Sequence, residues 1–287
     1  MDILITGLIT GSMLALLAIG FSLIFGVARI INIAHTAFYM VAAYGIFYFS
    51  IRLGLNPILS MLISVAFVTL IGVLVYKFII DPIREHEGAV LIATMTLAMF
   101  LQEVILQLFT GDFRSIDFMI GGYFTVAGYK IFYQQLLTFG VVLIMLLAIW
   151  FLLMKTRLGL AIRSMAEDRE VANLMGMNES RLAMITLAIS VALAGFTGAV
   201  IGPLMVLNPH MWMEPLIIMM AVVVLGGLGS IKGSFIAAFI LGFTEALVVF
   251  LVPTGAFLKG PVALIIMILV LLMRPEGLFG VAFEEER

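Results

Sequence analysis

The 287-residue chain is 64% hydrophobic, with a mean hydropathy of +1.25 and 11% charged residues, against about 25% charged in an ordinary soluble domain. That apolar load exceeds what a water-soluble core can bury, and long apolar runs without sustained two-residue alternation argue against a barrel. Cysteine is absent, which excludes disulfides, thiolate nucleophiles and thiolate metal sites, and a net charge of −2 points to no particular partner.

The composition therefore predicts an all-α integral membrane protein, a polytopic helical bundle in one transmembrane domain covering 1–287. About 20 apolar residues cross the hydrocarbon. By that ruler spans fall near 4–25, 33–51, 58–80, 89–110, 133–154 and 183–205, with further spans near 215–228, 231–252 and 261–273, giving about 8–9 crossings. Met1-Asp2 lacks the basic start of a signal peptide, so the first apolar run reads as a retained span. Asn56-Pro57 opens the third span with an N-cap and a proline at the first helical position. Asp81-Pro82 closes it, and Pro209, Pro215, Pro253 and Pro261 punctuate the last third in the same way.

The connection 111–132 carries Phe113, Phe118, Tyr123, Phe124, Tyr129 and Phe132. Such residues suit the headgroup level of a bilayer, or a surface that meets an external partner.

Residues 155–182 form a polar island that holds nine of the 32 charged residues in 28 positions. A short helix is readable from Met165 to Met175, with Glu167, Asp168 and Glu170 at the positive end of its dipole and Arg169 between them. Gly176 stands where a left-handed cap ends a helix, and Asn178 is a good N-cap for the next one. Val171, Leu174 and Met175, spaced i, i+3, i+4, give the short helix one apolar edge. A free helix of about ten residues is marginal in water, so this one must pack on lipid, on its own bundle or on a cytoplasmic partner.

The run 215–252 is too long for one span. Gly226, Gly227, Gly229, Ser230 and Gly233 break it, and the piece before the break is short enough for a half-helix. Close helix packing is expected at Gly7 and Gly11, at Gly198 and Gly202, and at Gly229 and Gly233, each a G-x-x-x-G pair. Polar groups inside apolar spans are costly and face protein or water. The candidates for a pathway are Asn32 and His35, three positions apart and on one helix face, Glu103 with Gln107 one turn on, and Glu245. His86 and His210 stand alone, so no metal site is expected, and no phosphate loop or hydrolase motif occurs, so no cofactor or enzyme activity is expected.

If 155–182 is cytoplasmic, alternating outward places Arg29, Lys77, Arg84, Lys155, Arg157, Arg163, Arg169, Arg181, Lys232, Arg274 and Arg287 inside. Arg52, Arg114, Lys130 and Lys259 fall outside. This positive-inside bias predicts an external N-terminus and a cytoplasmic C-terminus.

Four stretches in order resemble the permease subunits of branched-chain amino-acid ABC transporters, most like their shorter, LivH-type permease. They are 7–44 (GLITGSMLALLAIGFSLIFGVARIINIAHTAFYMVAAY), 161–181 (AIRSMAEDREVANLMGMNESR), 222–247 (VVVLGGLGSIKGSFIAAFILGFTEAL) and 273–280 (MRPEGLFG). The resemblance implies an ATP-driven importer of the inner membrane, without nucleic acid. It pairs two permeases, a heterodimer being the expectation, with two ATPase subunits and an external binding protein. On this view the island is the coupling helix, and Glu167 to Gly176 enter the ATPase. Urea, amides or other amino acids are alternative substrates within the family, and a stand-alone secondary transporter or channel is the alternative outside it.

Overall fold

The computed structural model describes residues 2–126 and 129–280. Its helices in chain order are α1 (Asp2–Ala28), α2 (His35–Phe47), α3 (Pro57–Val75), α4 (Glu87–Phe109), α5 (Tyr133–Lys155), α6 (Arg157–Glu167), α7 (Arg169–Leu174), α8 (Glu179–Ile201), α9 (Met213–Gly226), α10 (Ile231–Leu251) and α11 (Gly255–Met273). Among the described residues, seven helical segments are long and apolar enough to cross a bilayer: α1, α3 with its continuation to Ile83, α4, α5, α8 with its continuation to Leu204, α10 and α11. The chain is thus a polytopic helical membrane protein. α2 and α9, at 13 and 14 residues, are shorter, and α2 runs on through a π-helical turn, Tyr48–Arg52.

Side-chain caps set several helix starts. Asn56 accepts the Ile58 amide at 2.9 Å to open α3, and Asn178 accepts the Arg181 amide at 2.9 Å to open α8. Ser230 accepts the Gly233 amide at 3.1 Å to open α10. Each satisfies an amide that the first helical turn leaves without a partner.

α1 is the central rod. Leu14 to Leu17 are fully buried, and α10 lies antiparallel along it, Phe243 over Gly7, Phe239 over Gly11, and Gly242 directly on the Gly11 backbone. α8 seats on α2, where Gly198 meets the Tyr39 backbone, and on α3, where Val191 meets Gly72. Small residues let these backbones approach closely, which is the main source of helix attraction in lipid. α11 is the outermost helix, with Leu272 and Met273 about four-fifths exposed.

Four features differ from the sequence reading. The helix expected over Met165 to Met175 is two helices: Asp168 takes an extended backbone and accepts the Val171 amide at 3.0 Å, so it ends α6 and caps α7. α11 begins at Gly255, so Pro261 lies inside it. Gly260 has no Cβ to strike the proline ring, which removes part of the usual clash. The connection 111–132 contains an antiparallel hairpin, β1 (Tyr123–Val126) with β2 (Tyr129–Phe132), and Arg114 pairs with Leu207 through two backbone bonds of 2.8 and 3.0 Å. Asn32 lies in the non-helical segment before α2, so it shares no helix face with His35. Arg287 lies outside the described residues.

Candidate functional site

The island leaves α5 through a hinge at Thr156, whose hydroxyl bonds the Leu152 carbonyl and accepts the Gly159 amide at 3.0 Å. Gly159 touches the Leu152 and Leu153 backbone, so α6 folds tightly against the end of α5. Ile162 and Met165 point into the bundle, and Ala166 reaches Gly26 at the end of α1. α7 follows with the opposite character. Only Ala172 is buried, while Val171, Leu174 and Met175 are 54%, 85% and 77% exposed. Gly176 (φ +84°) takes the left-handed turn and donates to the Asn173 carbonyl at 2.9 Å. Glu167 and Glu170 are exposed beside this apolar cap.

The same end of the bundle holds a cluster of charges. Arg169 meets Glu179 at 3.4 Å, and Arg84 meets Asp81 at 3.6 Å. Asp81 accepts the Ser180 hydroxyl at 2.9 Å and the Tyr76 hydroxyl at 3.3 Å. Burial pushes the Arg169 guanidinium below its ordinary range. The Glu179 carboxylate opposes that shift, and Arg29 and Arg84 add to it. Beside this cluster opens a cleft of about 1370 Å³ lined by Arg29, Arg84, Glu87, Glu167, Glu276 and Phe279 among others. Arg29 turns the chain out of α1 with φ 49°, a conformation uncommon outside glycine.

The glycine break shapes the far wall of the cleft. Gly226 ends α9, Gly227 (φ +99°) and Gly229 (φ +81°) make the turn, and Gly226 and Gly233 meet backbone to backbone. Segment 274–280 closes over this turn. Leu278 donates to the Leu225 carbonyl at 2.8 Å, and Phe279 to the Gly226 carbonyl at 3.1 Å. These bonds satisfy carbonyls that the end of a helix leaves open. Two of the stretches quoted above, 222–247 and 273–280, are thus halves of one contact.

The pathway candidates fall in separate places. His35 is fully buried, its Nε2 3.1 Å from the Leu17 carbonyl and its Nδ1 3.2 Å from the Ser190 hydroxyl. A carbonyl only accepts, so Nε2 carries the proton, and the ring, seated on Gly20, ties α1, α2 and α8 together. Replacing His35 by leucine, which is close in volume and removes both bonds, is expected to cost about 1–3 kcal/mol. A thermal melt in detergent would show it as a fall of several degrees in Tm. Asn32 is buried, and its side-chain amide has no hydrogen-bond partner among the described residues. Next to it, Thr94 of α4 accepts the Ile33 amide at 3.3 Å. Glu103 and Gln107 lie exposed on one face of α4. On the adjoining, buried flank of that helix Gln102 accepts the indole N–H of the buried Trp212 at 2.9 Å. Glu245 is buried on α10, with Lys259 and Glu214, themselves 3.6 Å apart, as its charged neighbours.

The sequence reading missed Tyr76, Asp81 and Ser180, because their partners are distant in the chain. The Asn178-Glu179-Ser180 start of α8 was the available signal. Among the described residues no group of His, Asp and Glu is arranged to hold a metal.

A bundle whose helices meet closely at glycines, with a broken helix over a charged cleft and a polar island hung from two spans, has the build of a membrane permease. The chain belongs to the family described as "Branched-chain amino acid transport system / permease component", whose model matches residues 3–271, in accord with the resemblance read from the sequence. It is 31% identical to the high-affinity branched-chain amino acid transport system permease protein BraD of Pseudomonas aeruginosa, over 96% of this chain and 94% of that protein. Identity to the corresponding permease protein LivH of Escherichia coli strain K12 is 29%, over 96% and 93%. A probable branched-chain amino acid transport permease protein LivH of Methanocaldococcus jannaschii is 27% identical, over 97% and 92%. Among solved structures, "PsaBC from Streptococcus pneumoniae in complex with Fab" shares the fold, with a TM-score of 0.54 over 96% of this chain and 93% of that chain at 16% identity.

Proposed function

We propose that this permease carries leucine, isoleucine, valine or related hydrophobic amino acids through the inner cell membrane, driven by separate ATPase subunits. The observation that carries the reading is the family match along 3–271, together with an exposed apolar cap on α7 at the charged end of the bundle. In this reading residues 1–287 are one transmembrane domain of nine apolar helices, with α2 and α9 as the short ones. The N-terminus is external and the C-terminus cytoplasmic, which places α6, α7 and the charged cleft in the cytoplasm. α7 is the coupling helix: Glu167 to Gly176 enter a groove on the ATPase, with Val171, Leu174 and Met175 as the buried contact. Two ATPases, a second permease as a heterodimer partner and an external substrate-binding protein complete the importer.

An acid on the lipid-facing side of a span is costly unless water or protein covers it. Glu103 and Gln107 therefore put their face of α4 against the second permease, along the route of the substrate. Asn32 and Glu245 are further polar stations inside the bundle, and His35 positions α2. Glu103 makes a single 3.4 Å bond, to neighbouring Gln102, so Glu103→Leu is expected to leave the fold intact and to cut uptake about tenfold, measured with labelled leucine in proteoliposomes.

The decisive experiment is to tag this chain and purify it from its own membranes. Two ATPase subunits are expected with it, and reconstituted uptake of leucine should require ATP. A permease that purifies without ATPases and moves substrate down an ion gradient would overturn the reading.

A further inference from the structure

One turn of α8 grips two different parts of the molecule. Glu179 holds α7: its Oε1 lies 3.4 Å from Arg169 Nη1, and its Oε2 accepts from Asn173 Nδ2 at 3.5 Å. The next residue, Ser180, donates to Asp81 at 2.9 Å. Consecutive helical residues point about 100° apart, so the two side chains reach neighbours on different sides. One reaches the island and the other reaches the end of α3, which lies 99 positions earlier in the chain.

Asp81 follows a π-helical turn, Tyr76–Ile80, that closes α3. Such turns interrupt the regular ladder of helix bonds and recur at functional sites. Asp81 also takes the Tyr76 hydroxyl, from the first residue of that turn, and meets Arg84, three residues before α4 begins. It therefore joins α8, the π-turn and the α3–α4 connection through one carboxylate. α4 in turn holds the non-helical segment before α2 through Thr94 and presents Glu103 and Gln107 on its exposed face.

Stability alone does not call for this arrangement. Asp81 and Arg84 are each about a third exposed, and polar pairs so exposed add little to folding. Deeper in the bundle the packing of Val191 on Gly72 already joins α8 to α3. The polar chain instead offers a stiff route from a segment that hangs outside the bundle to the helix that bears the candidate pathway residues.

We infer that the Ser180–Asp81 hydrogen bond is a positioning contact that passes movement of the island to α4, a role that rests on the coupling function proposed above. When α7 is displaced, Glu179 carries the first turn of α8 with it, Ser180 pulls Asp81, and the π-turn yields so that the α3–α4 connection follows. Neither Ser180 nor Asp81 touches substrate or nucleotide in this scheme.

The test uses the whole permease–ATPase assembly in proteoliposomes, with ATP hydrolysis and leucine uptake measured side by side. Ser180→Ala, which removes the donor, and Asp81→Ala, which removes the acceptor, are expected to keep the ATPases bound and hydrolysis within about twofold of the parent, while uptake per ATP falls about five- to tenfold, the lower end of a typical coupling between sites. Ser180→Thr, which keeps the hydroxyl, restores uptake per ATP. The double variant is no worse than the worse single variant, because both remove one contact. A contact that only stabilised the fold would lower protein yield and both activities together. Variants that transport as much per ATP as the parent, or a double variant whose losses multiply, overturn the inference while the coupled parent assembly upholds the proposed function. A parent chain that binds no ATPase overturns both.

Discussion

Replacing Gly242 by leucine is expected to open the seam between α1 and α10 and to leave little folded permease. A Cβ at 242 would lie 2.5 Å from the Gly11 Cα and closer still to the Gly11 nitrogen. Both are backbone atoms in the middle of a helix, and neither can swing aside. The neighbouring residues of α1 are its most enclosed, with Leu14, Ala15, Leu16 and Leu17 at 0% exposure, so α1 has no free volume into which to move. Forcing extra carbon into a packed core costs about 1–3 kcal/mol or more. In lipid that loss weighs heavily, because helix association there rests on close packing rather than on expulsion of water. Gly140→Leu in α5 is the matched control, since no atom lies within 4 Å of a Cβ built there. The check is size-exclusion chromatography and a thermal melt of both variants in detergent. A Gly242→Leu protein as monodisperse and stable as Gly140→Leu would show that the seam does not hold the bundle together.

That seam also shows how far the sequence could be read. Hydropathy placed nearly every membrane helix, because burial of a 20-residue apolar rod is a property of the segment itself. The glycine break was legible for the same kind of reason: Gly227 and Gly229 need positive φ, and Ser230 is a strong N-cap. What the spacing could not give was partners. Gly7 and Gly11 announce a close approach without naming Phe243, Phe239 or Gly242. His35 announces a buried bond without naming Leu17 and Ser190, which lie 18 and 155 positions away. Two local signals were readable and were misjudged. Asp168 followed by Arg169-Glu170 is an N-cap, yet Glu167, Asp168 and Glu170 together read as the acidic start of one helix from Met165 in place of α6 and α7. Pro261 looked like a helix boundary, yet Gly260 before it lets α11 begin six residues earlier, at Gly255. The hairpin over 123–132 was hidden by its length, since two four-residue strands give little alternation to count.

The second large effect is expected at the tip of α7. Leu174 and Met175 are 85% and 77% exposed, so replacing both by aspartate takes nothing from the bundle. Their whole contribution would come on docking, at about 1.5–3 kcal/mol for each side chain fully buried. Losing both weakens ATPase binding by about 10² to 10⁴ at 1.4 kcal/mol per tenfold. The same surface can be lost by changing its backbone. Gly176 has φ +84° and nothing within 4 Å of its missing Cβ, so glycine is needed for conformation and not for space. Gly176→Ala must then pay only the left-handed penalty of about 1–2 kcal/mol. Gly176→Pro cannot reach positive φ at all and loses the amide that bonds the Asn173 carbonyl. Charge reversal across Glu167, Asp168 and Glu170 adds a third route, and at Asp168 it also removes the cap on Val171, worth about 1 kcal/mol. Pull-down of ATPases from solubilised membranes should therefore rank the variants, with Gly176→Ala retaining most, and with Gly176→Pro and the double aspartate retaining almost none. All should insert and migrate as the parent does when purified alone. If the proline and double-aspartate proteins hold their ATPases and drive normal uptake, the coupling contact lies elsewhere, and the exposed cap on α7 has another use.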